Sequence, residues 1–316
     1  MRSDAGIALY NGLEDVPPEI RPAVVSIGVF DGVHRGHQAL MRTVVEKAAE
    51  LDATPVVVTF NRHPLAVIAP GSEPPLITTL GQRARVMGEV GIKALIVLEF
   101  DDVMRHMSPE EFVRAVLVDG LGCAHIVVGA NFRFGHQQAG TIETLSDLGA
   151  KFGFGVTIFA LQLDRGDEVV SSSLIRKHIA EGDMEQVAEE LDRPYVLEGT
   201  VEHGSARGHD LGFPTANLAV HDHMILPKLG VYAGWMRWRG ERYPAVVNVG
   251  LNPTFGDRDT PIVEAFIIDF DQDLYEQTIE IEFTHRLRDE LRFTNVDDLV
   301  TQMHADVEQA RGLLGI

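Results

Sequence analysis

The sequence predicts two dissimilar halves: a parallel, doubly wound α/β domain of Rossmann-like type, then a small antiparallel β-barrel carrying a terminal helix. Three observations carry this. Up to Leu161, short apolar runs alternate with segments of helical spacing, the pattern that builds parallel sheets. After Pro194, strand-like runs follow one another across turns with almost no helical pattern between them, as in a small barrel. The chain then closes on one amphipathic stretch.

The elements follow in order. Ala23–Val29 is an apolar run, and His37–Leu51 repeats Leu40, Val44, Ala48 and Leu51 at helical spacing. Pro55–Phe60 is Val-rich without alternation, as a strand covered on both faces should be. Gln82–Val90, Pro109–Leu117 and Glu143–Phe152 read as helices; Ala94–Leu98, His125–Gly129 and Val156–Leu161 read as strands. Residues 174–192 are helical and polar, and Asp192-Arg193-Pro194 breaks the pattern, so the halves are set at 1–188 and 189–316. In the second half Tyr195–His203, Val231–Trp238, Tyr243–Val249, Ile262–Phe270 and Thr278–Phe283 are strand-like, with turns at Gly230, Gly240 and Asp271-Gln272-Asp273. The closing helix has Thr294 or Asn295 as cap and Val296, Leu299, Val300, Met303, Val307 and Leu314 as its apolar stripe.

Composition narrows the function. The 316 residues carry a net charge of -20, which argues against a nucleic-acid partner, because phosphate backbones are met by concentrated cations. A local nest of Arg, His and N–H groups can still hold a nucleotide. Cys123 is the one cysteine, so no intrachain disulfide forms; before an apolar run it reads as a small core residue. The first twenty residues hold Arg2, Asp4, Glu14 and Asp15 and no signal-like apolar core, and nothing approaches the roughly 20 apolar residues of a membrane span. A cytoplasmic protein without membrane partners is expected; its oligomeric state, homo-oligomers included, is left open.

Gly28-Val29-Phe30-Asp31-Gly32-Val33-His34-Arg35-Gly36-His37 follows a predicted strand and opens a predicted helix. Gly28, Gly32 and Gly36 let backbone approach a ligand, and a helix N-terminus favours an anion. Two histidines at the same place add donors for charge developing on phosphorus. The competing reading makes His34 a cap and His37 a core residue, or the two a metal pair; further zinc ligands are not evident nearby.

On these residues the first half resembles the nucleotidyltransferases that carry a His-x-Gly-His motif. More closely, it resembles the adenylyltransferase half of bacterial bifunctional riboflavin kinase/FAD synthetases. Phe60-Asn61-Arg62-His63-Pro64, Gly129-Ala130-Asn131-Phe132-Arg133-Phe134-Gly135 and Ser171-Ser172-Ser173-Leu174-Ile175-Arg176 extend the likeness. It implies that His34 and His37 steady the transferring α-phosphate and that Gly28, Phe30, Asp31 and Gly36 line the ATP site. It further implies that Arg176, with Ser172 and Ser173, meets the triphosphate, and that Asn61, His63 and Asn131 place nucleotide or flavin. Asn131 stands where Asp is commoner and Ser173 where Thr is; both keep hydrogen-bonding capacity. The competing readings are a solvated helix residue for Arg176, a turn former for Asn131 and a loop residue for His63.

In the second half, Gly212-Phe213-Pro214-Thr215-Ala216-Asn217 places a rigid proline turn beside a hydroxyl and an amide oxygen, hard ligands of the kind Mg²⁺ accepts next to phosphate. The polar loop His203–Gly208 could fold over a nucleotide. Glu264 shares a strand face with Phe266 and Ile268; partial desolvation should raise its pKa and suit it as a general base. The competing reading is an edge carboxylate in water.

This half resembles riboflavin kinases, through that motif and through Asn248–Gly256, Asp273-Leu274-Tyr275 and Leu287–Phe293. The likeness implies that Gly204, Arg207, Gly212, Phe213, Pro214, Thr215 and Asn217 hold ATP, with Thr215 and Asn217 also on Mg²⁺. It implies that Glu264 activates the ribityl hydroxyl and that Arg288 and Arg292 contribute to the flavin site, although those arginines could equally pair with Asp289 and Glu290. The two likenesses together imply riboflavin and ATP giving FMN and ADP at the barrel, then FMN and ATP giving FAD and pyrophosphate at the sheet.

Overall fold

The computed structural model describes residues 6–160, 170–203, 213–251 and 261–316. They fall into two compact units, Met1–Pro74 with Thr79–Ser171, and Pro75–Thr78 with Ser172–Ile316. The boundary expected at 188/189 lies inside a helix of the second unit.

The first unit is built on six parallel strands: β1 (Ala8–Asn11), β2 (Ala23–Ile27), β3 (Thr54–Phe60), β4 (Ala94–Leu98), β5 (Cys123–Gly129) and β6 (Gly155–Phe159). Their order is β1-β4-β3-β2-β5-β6. β2 and β4 are buried along their whole length, which is why they read as unbroken apolar runs rather than alternating ones. Helix α1 (Arg35–Glu50) seats Leu40, Met41, Val44 and Ala48 on one face of the sheet; α2 (Leu65–Ile68) follows β3, and α3 (Leu80–Val90) adds Ala84 and Met87 to that same face. After α4 (Asp102–His106), α5 (Pro109–Phe112) starts on a Ser108/Glu111 capping box and continues as a π-helix from Val113 to Gly120. Val113, Leu117 and Leu121 recur every fourth position, a spacing between α and π periods, and all face the core. With α6 (Ile142–Phe152) this helix covers the opposite face.

Chain order reverses at β2, which pairs with β3 on one side and β5 on the other. In an open parallel sheet such a switch point leaves a crevice beyond the strand ends. The Gly28–His37 loop leaves β2 there and the Asn131 loop leaves β5 there.

The second unit begins with α7 (Ser172–Glu181) and α8 (Met184–Leu191), tied by His178 Nδ1 to buried Glu190 at 3.1 Å. Six antiparallel strands then close into a barrel: β7 (Tyr195–Glu202), β8 (Thr215–Val220), β9 (Gly230–Trp238), β10 (Glu241–Leu251), β11 (Pro261–Ile267) and β12 (Thr278–Arg288). The ring order is β10-β11-β8-β7-β12-β9. Tyr195, Leu197, Ala216, Leu218, Met236, Val247, Val263, Ala265, Ile281 and Phe283 fill the interior. Helix α9 (Val296–Leu314), capped by Asn295, lays Val307, Ala310 and Leu314 over the outer face at Ala233, Val246, Phe266 and Ile268.

The structure refines the sequence reading at four points. Residues 174–192, expected to be helical, are so in two helices broken at Gly182-Asp183. β1 and β8 were not expected as strands: β1 is a four-residue edge strand, and β8 buries only small Ala216 and Leu218 inward, a weak alternating signal. The run expected to 270 leaves the sheet at Ile267. Val296, expected in the closing stripe, stays 56% exposed.

Candidate active sites

At the head of α1, His34 is the N-cap: its Nδ1 accepts from the His37 backbone N–H at 3.4 Å. That acceptor role places the proton of a neutral His34 ring on Nε2. The two imidazoles stack with centroids 3.6 Å apart and 23° between planes. The cap reading is therefore met in geometry, whereas His37 is half-buried and not part of the core; the pair sits at a helix start with no acidic residue in its first turn, where an anion is favoured. Burial, and then the neighbouring His34 charge, hold His37 well below the ordinary histidine pKa. Its Nδ1 is buried without a partner among the described residues.

Phe30 explains why Gly28 is glycine. Its ring meets His37 edge-on at 5.1 Å, and a Cβ on Gly28 would lie 2.9 Å from the Phe30 Cζ. Phe30 and Val33 both take left-handed backbone, at φ +50 and +41, which is costly for a β-branched residue and persists only where surroundings impose it. Asp31 is buried, and Gly36 is buried in the first turn of α1.

The other predicted residues of this unit lie on loops. Exposed Asn61 ties two strand ends: its N–H donates to Leu98 O at 2.9 Å and its Oδ1 accepts from Phe100 N at 3.2 Å. His63 Nδ1 accepts from Leu65 N at 3.2 Å at the start of α2. Asn131 is exposed on the turn closed by Phe132 N to Gly129 O at 3.0 Å. Sequence reasoning passed over the aromatics here: Phe132 stacks on Phe134 at 5.5 Å, and Phe134 meets Phe112 at 6.0 Å. The Phe-x-Phe spacing within 132–134 was their one sequence signal. Ser172, Ser173 and Arg176 stand on α7 in the second unit, where Arg176 Nε donates to Pro75 O at 2.6 Å.

On the barrel, Thr215 and Asn217 lie on strand β8, not on a turn: Pro214 is the last residue before the strand. Ala216 and Leu218 point inward, so Thr215 and Asn217 point outward. On β11 the inward residues are Val263, Ala265 and Ile267, so Glu264 is also outward. Register places Asn217, Glu264 and Asn248 in one row across β8, β11 and β10. Burial raises the Glu264 carboxyl above the usual carboxylate range, and a hydrogen bond from the Asn248 side chain partly restores it. In the sequence Asn248 is only the first residue of the Asn248–Gly256 run; the strand register puts it opposite Glu264.

Gly250 continues that outer face. A Cβ there would lie 2.4 Å from Glu290 Oε1 and 3.0 Å from Asn248 Nδ2, so both side chains converge over the glycine. Phe213 is buried, edge-on to Phe266 at 5.0 Å and to His304 of α9 at 4.9 Å; it anchors the motif that exposed Pro214 then turns. Arg288 makes a bidentate pair with buried Asp306, at 2.8 and 2.6 Å, and donates to Asp289 O at 3.0 Å; Arg292 is exposed. Gly204, Arg207 and Gly212 lie outside the described residues.

Both arrangements suit chemistry at phosphorus, which places the chain among ATP-dependent transferases with two reaction sites. Comparison with known proteins narrows this. A family model described as FAD synthetase matches residues 16–174, and one described as riboflavin kinase matches residues 191–314. A bifunctional riboflavin kinase/FMN adenylyltransferase of Pseudomonas fluorescens is 37% identical over 306 residues, 96% of this chain and 97% of that one. The Bacillus subtilis protein of the same description is 36% identical over 299 residues, 93% of each. A crystal structure from Streptococcus pneumoniae, described as a macrolide-efflux protein, matches with a TM-score of 0.86 at 32% identity, covering 96% of this chain and 99% of its own. Among the described residues no helix is long and apolar enough to cross a membrane.

The chain belongs to the family of bifunctional riboflavin kinase/FMN adenylyltransferases, and it is an enzyme of FAD biosynthesis.

Proposed function

We propose that the two steps are divided between the two constellations, with the functional division at 188/189, between the matched segments that end at 174 and begin at 191. In the first step Glu264 takes the proton from the ribityl hydroxyl of riboflavin while the γ-phosphoryl of ATP transfers in line. The row Asn217–Glu264–Asn248 carries this reading: a partly desolvated carboxylate, steadied by an amide, beside oxygen donors on the neighbouring strand. Thr215 and Asn217 supply the hard oxygens that Mg²⁺ accepts, and they would hold it; when bound it neutralises phosphate charge. Glu290, beside Asn248 over Gly250, belongs to the same surface.

In the second step an FMN phosphate oxygen attacks the α-phosphorus of a second ATP, and pyrophosphate leaves. His34, His37 and the N–H groups of the α1 start steady the charge that builds there. Arg176, Ser172 and Ser173 are assigned to the triphosphate, and Asn61, His63 and Asn131 to nucleotide or flavin placement, from their motifs. Arg207, Gly204 and Gly212 are assigned to the kinase nucleotide on the same ground. Arg288 is committed to Asp306, so its contribution to the flavin site is through holding the end of β12. The proposed location is the cytoplasm, where ATP is available.

The test separates the steps. With riboflavin, ATP and Mg²⁺, His37→Ala should accumulate FMN without FAD. Glu264→Ala should make no FMN, yet convert supplied FMN to FAD. Chromatographic separation of riboflavin, FMN and FAD reads both, and loss of both activities in either variant refutes two independent sites.

A further inference from the structure

We propose that Arg83 of α3 is a positioning residue for adenylyl transfer, acting through the Gly28–His34 loop on His37. This rests on the reading of the paired histidines as the transfer site. Arg83 is 6% exposed, an unusual state for a guanidinium, which is seldom buried without a partner that needs it. Its Nη1 donates to Val29 O at 2.8 Å and approaches Thr59 Oγ1 at 3.5 Å. Thr59 Oγ1 donates to the same Val29 carbonyl at 3.2 Å. Buried Asp31, two residues further along, interacts electrostatically with the guanidinium.

The Val29 carbonyl immediately precedes Phe30, the first left-handed residue of the loop. Two further bonds hold the loop from its other end: Val33 N to Phe30 O at 3.1 Å and Gln38 Nε2 to Val33 O at 3.0 Å. Strained backbone of this kind persists only when over-determined by its surroundings. The shape so fixed puts the Phe30 ring between Gly28 and His37. Arg83 therefore touches no reacting atom, but it secures the loop whose ring sets the His37 imidazole. Positioning of that kind is felt in the chemical step more than in ground-state binding, since a misplacement of about 1 Å can cost about 10²-fold in rate.

The experiment compares Arg83→Met, Arg83→Lys and Thr59→Val with wild type and His37→Ala, in the full chain. Steady-state FMN adenylylation, riboflavin kinase rates and thermal melting are measured for each. Arg83→Met should lower kcat for FAD formation by about 10²-fold, with KM for ATP within about threefold and the kinase rate unchanged. Arg83→Lys, which keeps charge and reach, should recover most of the loss, and Thr59→Val, a milder change, should lower kcat several-fold. A wild-type kcat in Arg83→Met with inactive His37→Ala overturns the positioning role alone. So does a kcat loss that Arg83→Lys fails to relieve, or one shared with the kinase. FAD formation surviving in His37→Ala overturns the underlying site assignment, whatever Arg83 does.

Discussion

At the residue scale, Glu264 owes its use to two opposed influences: burial among Ile262, Phe266 and the barrel wall raises its pKa, and the Asn248 amide lowers it again. The base works deprotonated, so kinase turnover should fall as pH drops through that raised value. Asn248→Leu removes the lowering influence and should move the acidic limb of kcat for FMN formation to higher pH; a limb that stays in place refutes the coupling. Cys123 behaves in the opposite sense to a catalytic thiol. Burial pushes it up to about 12, and its Sγ faces the His125 carbonyl at 3.2 Å. Alkylation by iodoacetamide at pH 8 should be slow in the native protein and complete in denaturant. Its core role was legible from its apolar neighbours; the role of Asn248 was not, because cross-strand partners depend on register.

At the element scale, α9 is held to the barrel by one buried ion pair and an apolar seam. Asp306 is 4% exposed and bonds Arg288 through both oxygens, with Gln302 Nε2 on Oδ1 at 2.9 Å. Arg288→Met strands a buried carboxylate and should cost about 3 kcal/mol in denaturant unfolding of the barrel unit; Arg288→Met with Asp306→Leu should recover much of it. Asn295→Ala removes the cap that accepts from Asp298 N at 2.8 Å and should cost about 1 kcal/mol. The closing helix and its Asn295 cap were visible in the sequence as a 3.6-residue stripe. β8 was not: its inward residues, Ala216 and Leu218, give a faint period of two, and the preceding proline reads as a turn.

At the scale of the whole molecule, each unit carries its own core, with the paired histidines in the first and the Glu264 row in the second. Neither His37→Ala nor Glu264→Ala removes a residue of the other's set. Mixed in equal amounts with riboflavin and MgATP, the two variants should therefore yield FAD by way of free FMN. FMN formed in that mixture but not turned into FAD, when Glu264→Ala alone converts added FMN, would show that the kinase site of His37→Ala keeps its product instead of releasing it to solvent. The two halves were legible because parallel strands buried on both faces and barrel strands buried on one leave different periodicities.

The sequence by itself determined the fold class of both halves, the paired histidines at a helix start and the carboxylate on an apolar strand, because these are written in local spacing. Tertiary structure alone decided which of those groups meet. The Asn217–Glu264–Asn248 row exists only through strand register, the Arg83 clamp on Val29 only through packing of α3 under the sheet, and Arg288 chose Asp306 over its sequence neighbours only once α9 was laid across the barrel. Those contacts join residues from 16 to 54 positions apart, a range over which no local periodicity carries information.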